Sequence, residues 1–211
     1  MGQTGELTHQ RRCWPTPQAD SDLQLYRLMM TIKTPALEPS NNMKNTIQIQ
    51  ALTLDNFAPF GEVISCQGHD YFHINHAQTE RYHALAMTEI LGEAQAGISI
   101  FRNIQSTQMP FQVAMLERHP QGSQAFIPMQ GQAFLVVVAP DLNADEPDIS
   151  QLQAFISDGS QGVNYRAGTW HHPLLTLEAP SDFAVIDRIG SGPNCDVYEF
   201  NSPIQIVSTE I

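Results

Sequence analysis

The chain has 211 residues, 10 of them Lys or Arg and 22 Asp or Glu, for a formal charge of −12. That length suits one domain, and the acid excess excludes nucleic acid and anionic membrane surfaces as partners, because both need a basic face. No window approaches the ~18 consecutive apolar residues of a membrane span, and Cys13, Cys66 and Cys195 follow no metal-ligand or disulfide-framework spacing, so the cytoplasm is the expected compartment.

Residues 1–42 are rich in Gly, Thr, Gln, Pro and Asn, and Pro15, Pro17, Pro35 and Pro39 interrupt any long element. They read as a disordered or mis-started extension, with one helix candidate at 23–32 and Met43 as the expected native start; a targeting or partner-binding tail is the alternative. Ordered structure is expected over 43–211, beginning with the alternating Ile47-Gln48-Ile49-Gln50-Ala51. A short helix follows at 54–57 with Thr53 as N-cap, and a second is expected near 89–94. Strands are predicted at 62–65, 71–75, 98–103, 112–116, 123–128, 133–139, 153–157, 174–177, 183–188 and 197–200, separated by turn residues. So many strands must close into a barrel or sandwich to hide their edges. Phe134-Leu135-Val136-Val137-Val138 is apolar at every position, which implies burial on both faces. The acidic stretch Asp141, Asp145, Glu146, Asp148 reads as a solvated loop, and His73 and His76 as structural residues of a hairpin.

Chemistry-bearing residues concentrate in two places. Glu117 and His119 stand two apart, so a strand points both to one face, and Gln124 can return beside them on the next strand after the turn at 120–122. Arg118 then points outward. Farther on, Gly168-Thr169-Trp170-His171-His172-Pro173 offers a His pair. The order Glu117-x-His119, Gln124, Gly131 resembles the first cupin motif in spacing, and Gly168-x-x-His171 is similar to the second. The resemblance implies an all-β, cupin-like jelly-roll barrel with a few short helices. Of the usual cupin ligand types only His119 and His171 stand in place, because Glu117 replaces the first His and Gln124 replaces the Glu. The set can hold a divalent ion, or it can line a metal-free polar interior that binds an anion directly.

A closer resemblance covers almost all of 43–211. Tyr71-Phe72-His73-Ile74-Asn75, Glu80-Arg81-Tyr82-His83, Glu117-Arg118-His119-Pro120, Gln124-Ala125-Phe126-Ile127-Pro128-Met129, Gly162-Val163-Asn164-Tyr165, Thr169-Trp170-His171-His172-Pro173 and Asn194-Cys195-Asp196-Val197 resemble the ureidoglycolate lyase family, also known as ureidoglycolate hydrolase. The resemblance implies a homodimer that splits (S)-ureidoglycolate into glyoxylate and urea in allantoin breakdown, with a divalent metal cofactor, commonly nickel. Residues 1–42 have no counterpart in it.

That reaction needs a base for the substrate hydroxyl, an acid for the departing nitrogen and a cation for the carboxylate. On this reading His119, Gln124 and His171 are metal or substrate ligands, and Glu117 is a further ligand or the base. His172, Tyr165 or His83 supplies the acid. The protein's net charge repels an anion, so a local arginine is expected: Arg81 first, with Arg166 and Arg188 as the others. Two rivals are an amidohydrolase that releases ammonia from the same substrate and a non-catalytic small-acid sensor. A chain beginning at Met43 is expected to fold with an unchanged circular dichroism spectrum and thermal midpoint; loss of folding would make the extension structural.

Overall fold

The structure is a computed structural model that describes residues 46–208. The extension at 1–42, its helix candidate at 23–32 and the Met43 start lie outside the described residues. In chain order the elements are β1 (Thr46–Ala51), α1 (Leu54–Phe57), β2 (Gly61–Ile64), β3 (Phe72–Ile74), β4 (Thr79–Arg81), β5 (Ala94–Asn103), β6 (Phe111–Arg118), β7 (Gln124–Pro128) and β8 (Phe134–Ala139). They continue with β9 (Asp141–Asn143), β10 (Glu146–Pro147), β11 (Gln153–Ser157), β12 (Gly162–Tyr165), β13 (Trp170–His171), β14 (Leu175–Thr176), β15 (Ser181–Gly190) and β16 (Asp196–Val207).

Six strands close a ring in the order β8, β11, β1, β16, β6, β13 and back to β8, with β14 paired to the outer part of β8. Strand β1 runs parallel to both its neighbours, β11 and β16. A second sheet, ordered β2, β12, β7, β15, β5, lies against the first. The expected all-β, cupin-like barrel is therefore present. Ring closure removes the exposed edges that so many short strands would otherwise present.

Two cores share one strand. Leu135, Val137 and Ala139 of β8 pack with Val113, Leu116, Ala154, Trp170, Ile204 and Ile206, which come from the strands of the ring. Their neighbours Phe134, Val136 and Val138 point the opposite way and pack with Phe126, Val163, Tyr165, Phe183 and Val185 of the second sheet. The uniformly apolar run thus reflects a strand that separates two apolar spaces, since alternate side chains leave a strand on opposite faces.

The helix at 54–57 forms as expected. Thr53 Oγ1 accepts from the Asn56 amide at 3.2 Å and Asn56 Oδ1 accepts from the Thr53 amide at 2.9 Å, a reciprocal cap that satisfies two end donors. It delivers Phe57 into the inter-sheet core with no exposed surface. No helix forms at 89–94. There the Ser123 amide donates to the Glu89 carbonyl, the Leu91 amide donates to the Gln121 carbonyl, and Ile90 bridges Gly122. Gly92 at φ +71° then turns the chain into β5. Long-range backbone bonds outcompete the local helix there. The acidic stretch forms a small exposed hairpin, β9 with β10, and His76 sits at φ +56° in the turn of the hairpin β3–β4.

Gln124 departs from the expected neighbourhood. Strands β6 and β7 belong to different sheets, so Gln124 approaches Glu117 and His119 from the facing sheet, not from the next strand. Replacing Phe155, fully buried and edge-on to Phe57 at 6.5 Å, by alanine should cost about 3–5 kcal/mol of stability. Thermal unfolding should show this as a lowered midpoint, by roughly 2–4 °C per kcal/mol for a chain of this size.

Candidate active site

Where the ring faces the second sheet, two imidazoles and a carboxylate converge. Glu117, near the end of β6, and His119, just past it, leave the chain on one face, and β13 sets His171 opposite Glu117 in register. Glu117 Oε1 is 3.9 Å from His119 Nε2 and 3.8 Å from His171 Nε2, and the two rings are 5.3 Å apart. One potential ligand atom from each residue lies within 4.8 Å of the others.

The backbone settles what the imidazoles present. His119 Nδ1 is 2.7 Å from the Asn194 carbonyl and His171 Nδ1 is 2.8 Å from the Thr169 carbonyl. A carbonyl only accepts, so Nδ1 carries the proton in each ring and Nε2 is left with a lone pair. Both Nε2 atoms are buried without a hydrogen-bond partner. Burial, reinforced by the neighbouring His119, pushes His171 down to about 3, so it is a neutral ligand type across the ordinary pH range. Burial also pushes the Glu117 carboxyl up, against the opposing influence of His119. Two buried lone pairs facing one carboxylate fit a divalent ion, and the carbonyls behind the rings are the outer partners such ligands use.

The second sheet supplies the opposite wall. Tyr165 of β12 stacks on His171 with ring centres 4.2 Å apart and planes 11° from parallel. Burial first, and Glu117 second, raise its phenol above the ordinary value, so it stays protonated. Gln124 of β7 is paired with Tyr165 in register and is 4% exposed. Its Nε2 donates to Asp187 Oδ2 of β15 at 3.4 Å. Asp187 escapes the sequence motifs, yet it carried a readable signal. It extends the alternation of the buried Phe183 and Val185 with an acid on the inward face.

The structure brings Glu117, His119, His171, Tyr165 and Gln124 together, while the other candidates lie elsewhere. His172 alternates away from His171, donates from Nδ1 to the Pro173 carbonyl at 2.9 Å and stands edge-on to Phe111 at 5.4 Å, beside the ring core. Arg188 alternates away from Asp187 and donates to the Leu91 carbonyl at 2.9 Å. Arg81 and His83 are exposed on the β3–β4 arm, where both contact the ring of Phe72. Arg118 alternates away from Glu117 and His119, but its side chain is only 13% exposed, with Nε 2.9 Å from Asp196 and its guanidinium 4.5 Å above Trp170. Arg166 pairs with Glu62 at 3.1 Å.

Fold and site together define a cupin-like barrel whose interior presents a His-His-Glu set. The family model described as ureidoglycolate lyase matches residues 44–207. The chain is 53% identical over 163 residues to the ureidoglycolate lyase of Stutzerimonas stutzeri (strain A1501), an alignment that covers 77% of this chain and 94% of that protein. It is 52% identical over 163 residues to those of Pseudomonas syringae pv. tomato (strain ATCC BAA-871 / DC3000) and Pseudomonas aeruginosa (strain LESB58), covering 77% of this chain and 94% and 95% of theirs. The chain belongs to the ureidoglycolate lyase family.

If the set holds an ion, calorimetric titration of the metal-free protein with Ni2+ should show one site per chain. His119→Ala or His171→Ala should weaken it by more than the roughly 10–100-fold typical of losing an outer partner. Unchanged binding in both variants would remove the ion from this site.

Proposed function

We propose that the protein cleaves (S)-ureidoglycolate to glyoxylate and urea, with the interior His119, His171 and Glu117 as its reaction centre. The observation that carries this reading is the pair of buried, unpartnered Nε2 atoms facing one carboxylate, in a chain whose relatives bear the name of that activity.

The substrate's central carbon bears a hydroxyl, a carboxylate, a hydrogen and the ureido nitrogen. Its collapse consumes no water. His119 and His171 would hold a divalent ion, with nickel as the metal that the resemblance implies; when bound, it supplies Lewis-acid and template chemistry toward the hydroxyl and carboxylate. Glu117 is the anion facing both imidazoles, and it accepts the hydroxyl proton as the carbon–nitrogen bond breaks. The bonding pair departs with nitrogen, the oxygen left behind closes the aldehyde of glyoxylate, and the proton passes from Glu117 to the leaving urea. Tyr165 keeps His171 in plane by stacking, and burial holds its phenol protonated as a neutral wall beside the imidazole. His119, Gln124, Tyr165 and His171 are all below 7% exposed, and the Glu117 side chain is 14% exposed, so little water reaches the groups around this transfer.

The substrate's carboxylate needs a positive partner. Arg102, Arg118 and Arg166 are each committed to a carboxylate and Arg188 to a carbonyl. Arg81, the arginine expected first, lies exposed on the β3–β4 arm over the ring of Phe72, so in this reading an ion held by His119 and His171 would supply the positive charge at the reaction centre.

The reading includes a homodimer. Strand β5 ends the second sheet, and Ile98 and Ile100 leave its outer face 80% and 55% exposed, with Ile186 of β15 beside Ile98 in register. A second copy covering this face would bury an apolar patch that water disfavours. Among the described residues no helix is long and apolar enough to cross a membrane.

A urea-release assay on (S)-ureidoglycolate, run before and after thorough chelation and again with Ni2+ restored, tests the reading. Urea should appear without ammonia, activity should fall on chelation, and it should return with the metal. Ammonia without urea would replace the lyase by an amidohydrolase, binding without turnover would favour the sensor, and full activity after chelation would remove the ion from the reaction.

A further inference from the structure

One pair of polar side chains in the interior takes no part in the chemistry above. Asp187 follows Phe183 and Val185 on the inward face of β15, and Gln124 reaches it from the adjacent strand β7, to which β15 is hydrogen-bonded. Their contact orients the amide. Because a carboxylate only accepts, Gln124 turns its NH2 toward Asp187 Oδ2 and leaves its own Oε1 as a free acceptor. Gln124 Oε1 and Asp187 Oδ1 are both buried and neither has a hydrogen-bond partner. Buried acceptors are seldom left so, and two of them on side chains in contact with each other call for a ligand that brings donors.

The pair is distinct from the proposed ion ligands. A carboxylate oxygen of Asp187 does not fall within the 4.8 Å set formed by Glu117, His119 and His171. Gln124 is nevertheless paired in register with Tyr165, whose ring stacks on His171, so pair and set border one space. They also come from opposite walls, the set from the ring and the pair from the second sheet.

We propose that Asp187 and Gln124 form the subsite for the ureido end of the substrate, accepting hydrogen bonds from its planar N–H and NH2 groups. This rests on the lyase reading. The ureido group is a rigid plane with donors along one edge, and two adjacent acceptors match that edge as a carboxylate matches a guanidinium. The subsite then decides specificity. A substrate with oxygen in place of the ureido nitrogens would leave both buried acceptors unpaired, which is the strongest form of rejection a polar site has. It also holds the leaving group in line as the carbon–nitrogen bond breaks, while the carboxylate and hydroxyl stay at the His-His-Glu set.

The probe is N-carbamoylglycine, which keeps the carboxylate and the ureido group but lacks the hydroxyl whose proton starts the collapse. Glycolate, which lacks the ureido group, is the control. Binding of both is measured by calorimetry on the Ni2+-loaded wild type, on Asp187→Asn, which keeps the shape and loses the charge, and on Gln124→Met, which serves if the first variant fails to fold. N-carbamoylglycine should bind about 10–100-fold more weakly to the variants, as expected for losing a charge-assisted or buried hydrogen bond. Glycolate affinity and the affinity for Ni2+ should stay within about twofold. Equal loss of both probes, no loss of either, or a parallel fall in Ni2+ affinity would overturn the subsite. Wild-type urea release is measured alongside. Its absence counts against the lyase reading itself, whereas normal turnover with unchanged N-carbamoylglycine binding counts against the subsite alone.

Discussion

The structure depends on the strand Phe134–Ala139 being apolar on both faces. Every residue of β8 is at most 3% exposed, and its alternate side chains belong to two separate cores. A strand in that position cannot tolerate a polar side chain on either face without an internal partner. The consequence reaches the site directly, because β8 is also the strand against which β13 is hydrogen-bonded, with His171 opposite Val138. The imidazole is placed by a ladder whose register a doubly buried strand holds, since a shift by one residue would exchange the two sets of side chains.

Around that frame the interior makes polar groups available by denying them water. The backbone takes one nitrogen of each imidazole and leaves the other buried and facing Glu117, and the neighbouring residues make no hydrogen bond to it. His119 is held by the carbonyl of Asn194, whose side chain also accepts from the Gln121 amide at 2.7 Å. The loop before β16 therefore fixes both the ring and the turn that follows it. Such groups are costly when unpaired, which is why their number is small and their placement concentrated.

Much of this was legible in the amino-acid order. The period-2 alternation located most of the longer strands, and the Thr53 cap and the two-residue spacing of Glu117 and His119 correspond to local geometry that the chain adopts. What escaped was non-local. The segment 89–94 carries helix-forming residues, but its backbone is taken by Gln121, Gly122 and Ser123. Strands β12 and β13 are four and two residues long and owe their existence to their partners. Gln124 was placed beside Glu117 because the intervening turn is short, whereas the chain uses that turn to cross from one sheet to the other. Asp187 lacked a motif, and only its inward parity marked it. The arginines are committed to partners distant in sequence, such as Asp182 for Arg102 and Asp196 for Arg118, and no local pattern announces such pairings.

The stacking of Tyr165 on His171 joins a residue of the second sheet to a residue of the ring. Two flat rings in contact behave as a spacer of fixed thickness, about the 4.2 Å between their centres, because dispersion attraction resists separation and repulsion resists approach. The spacing between the ring and the second sheet is thus gauged beside Glu117 and His119. The Tyr165 ring in turn leans on Phe57 and Phe126, 5.8 and 6.0 Å away. Aromatic residues away from the His-His-Glu set thereby fix the spacing between the two sheets there, and trimming one of them would let the sheets approach or shift while leaving every polar group in place.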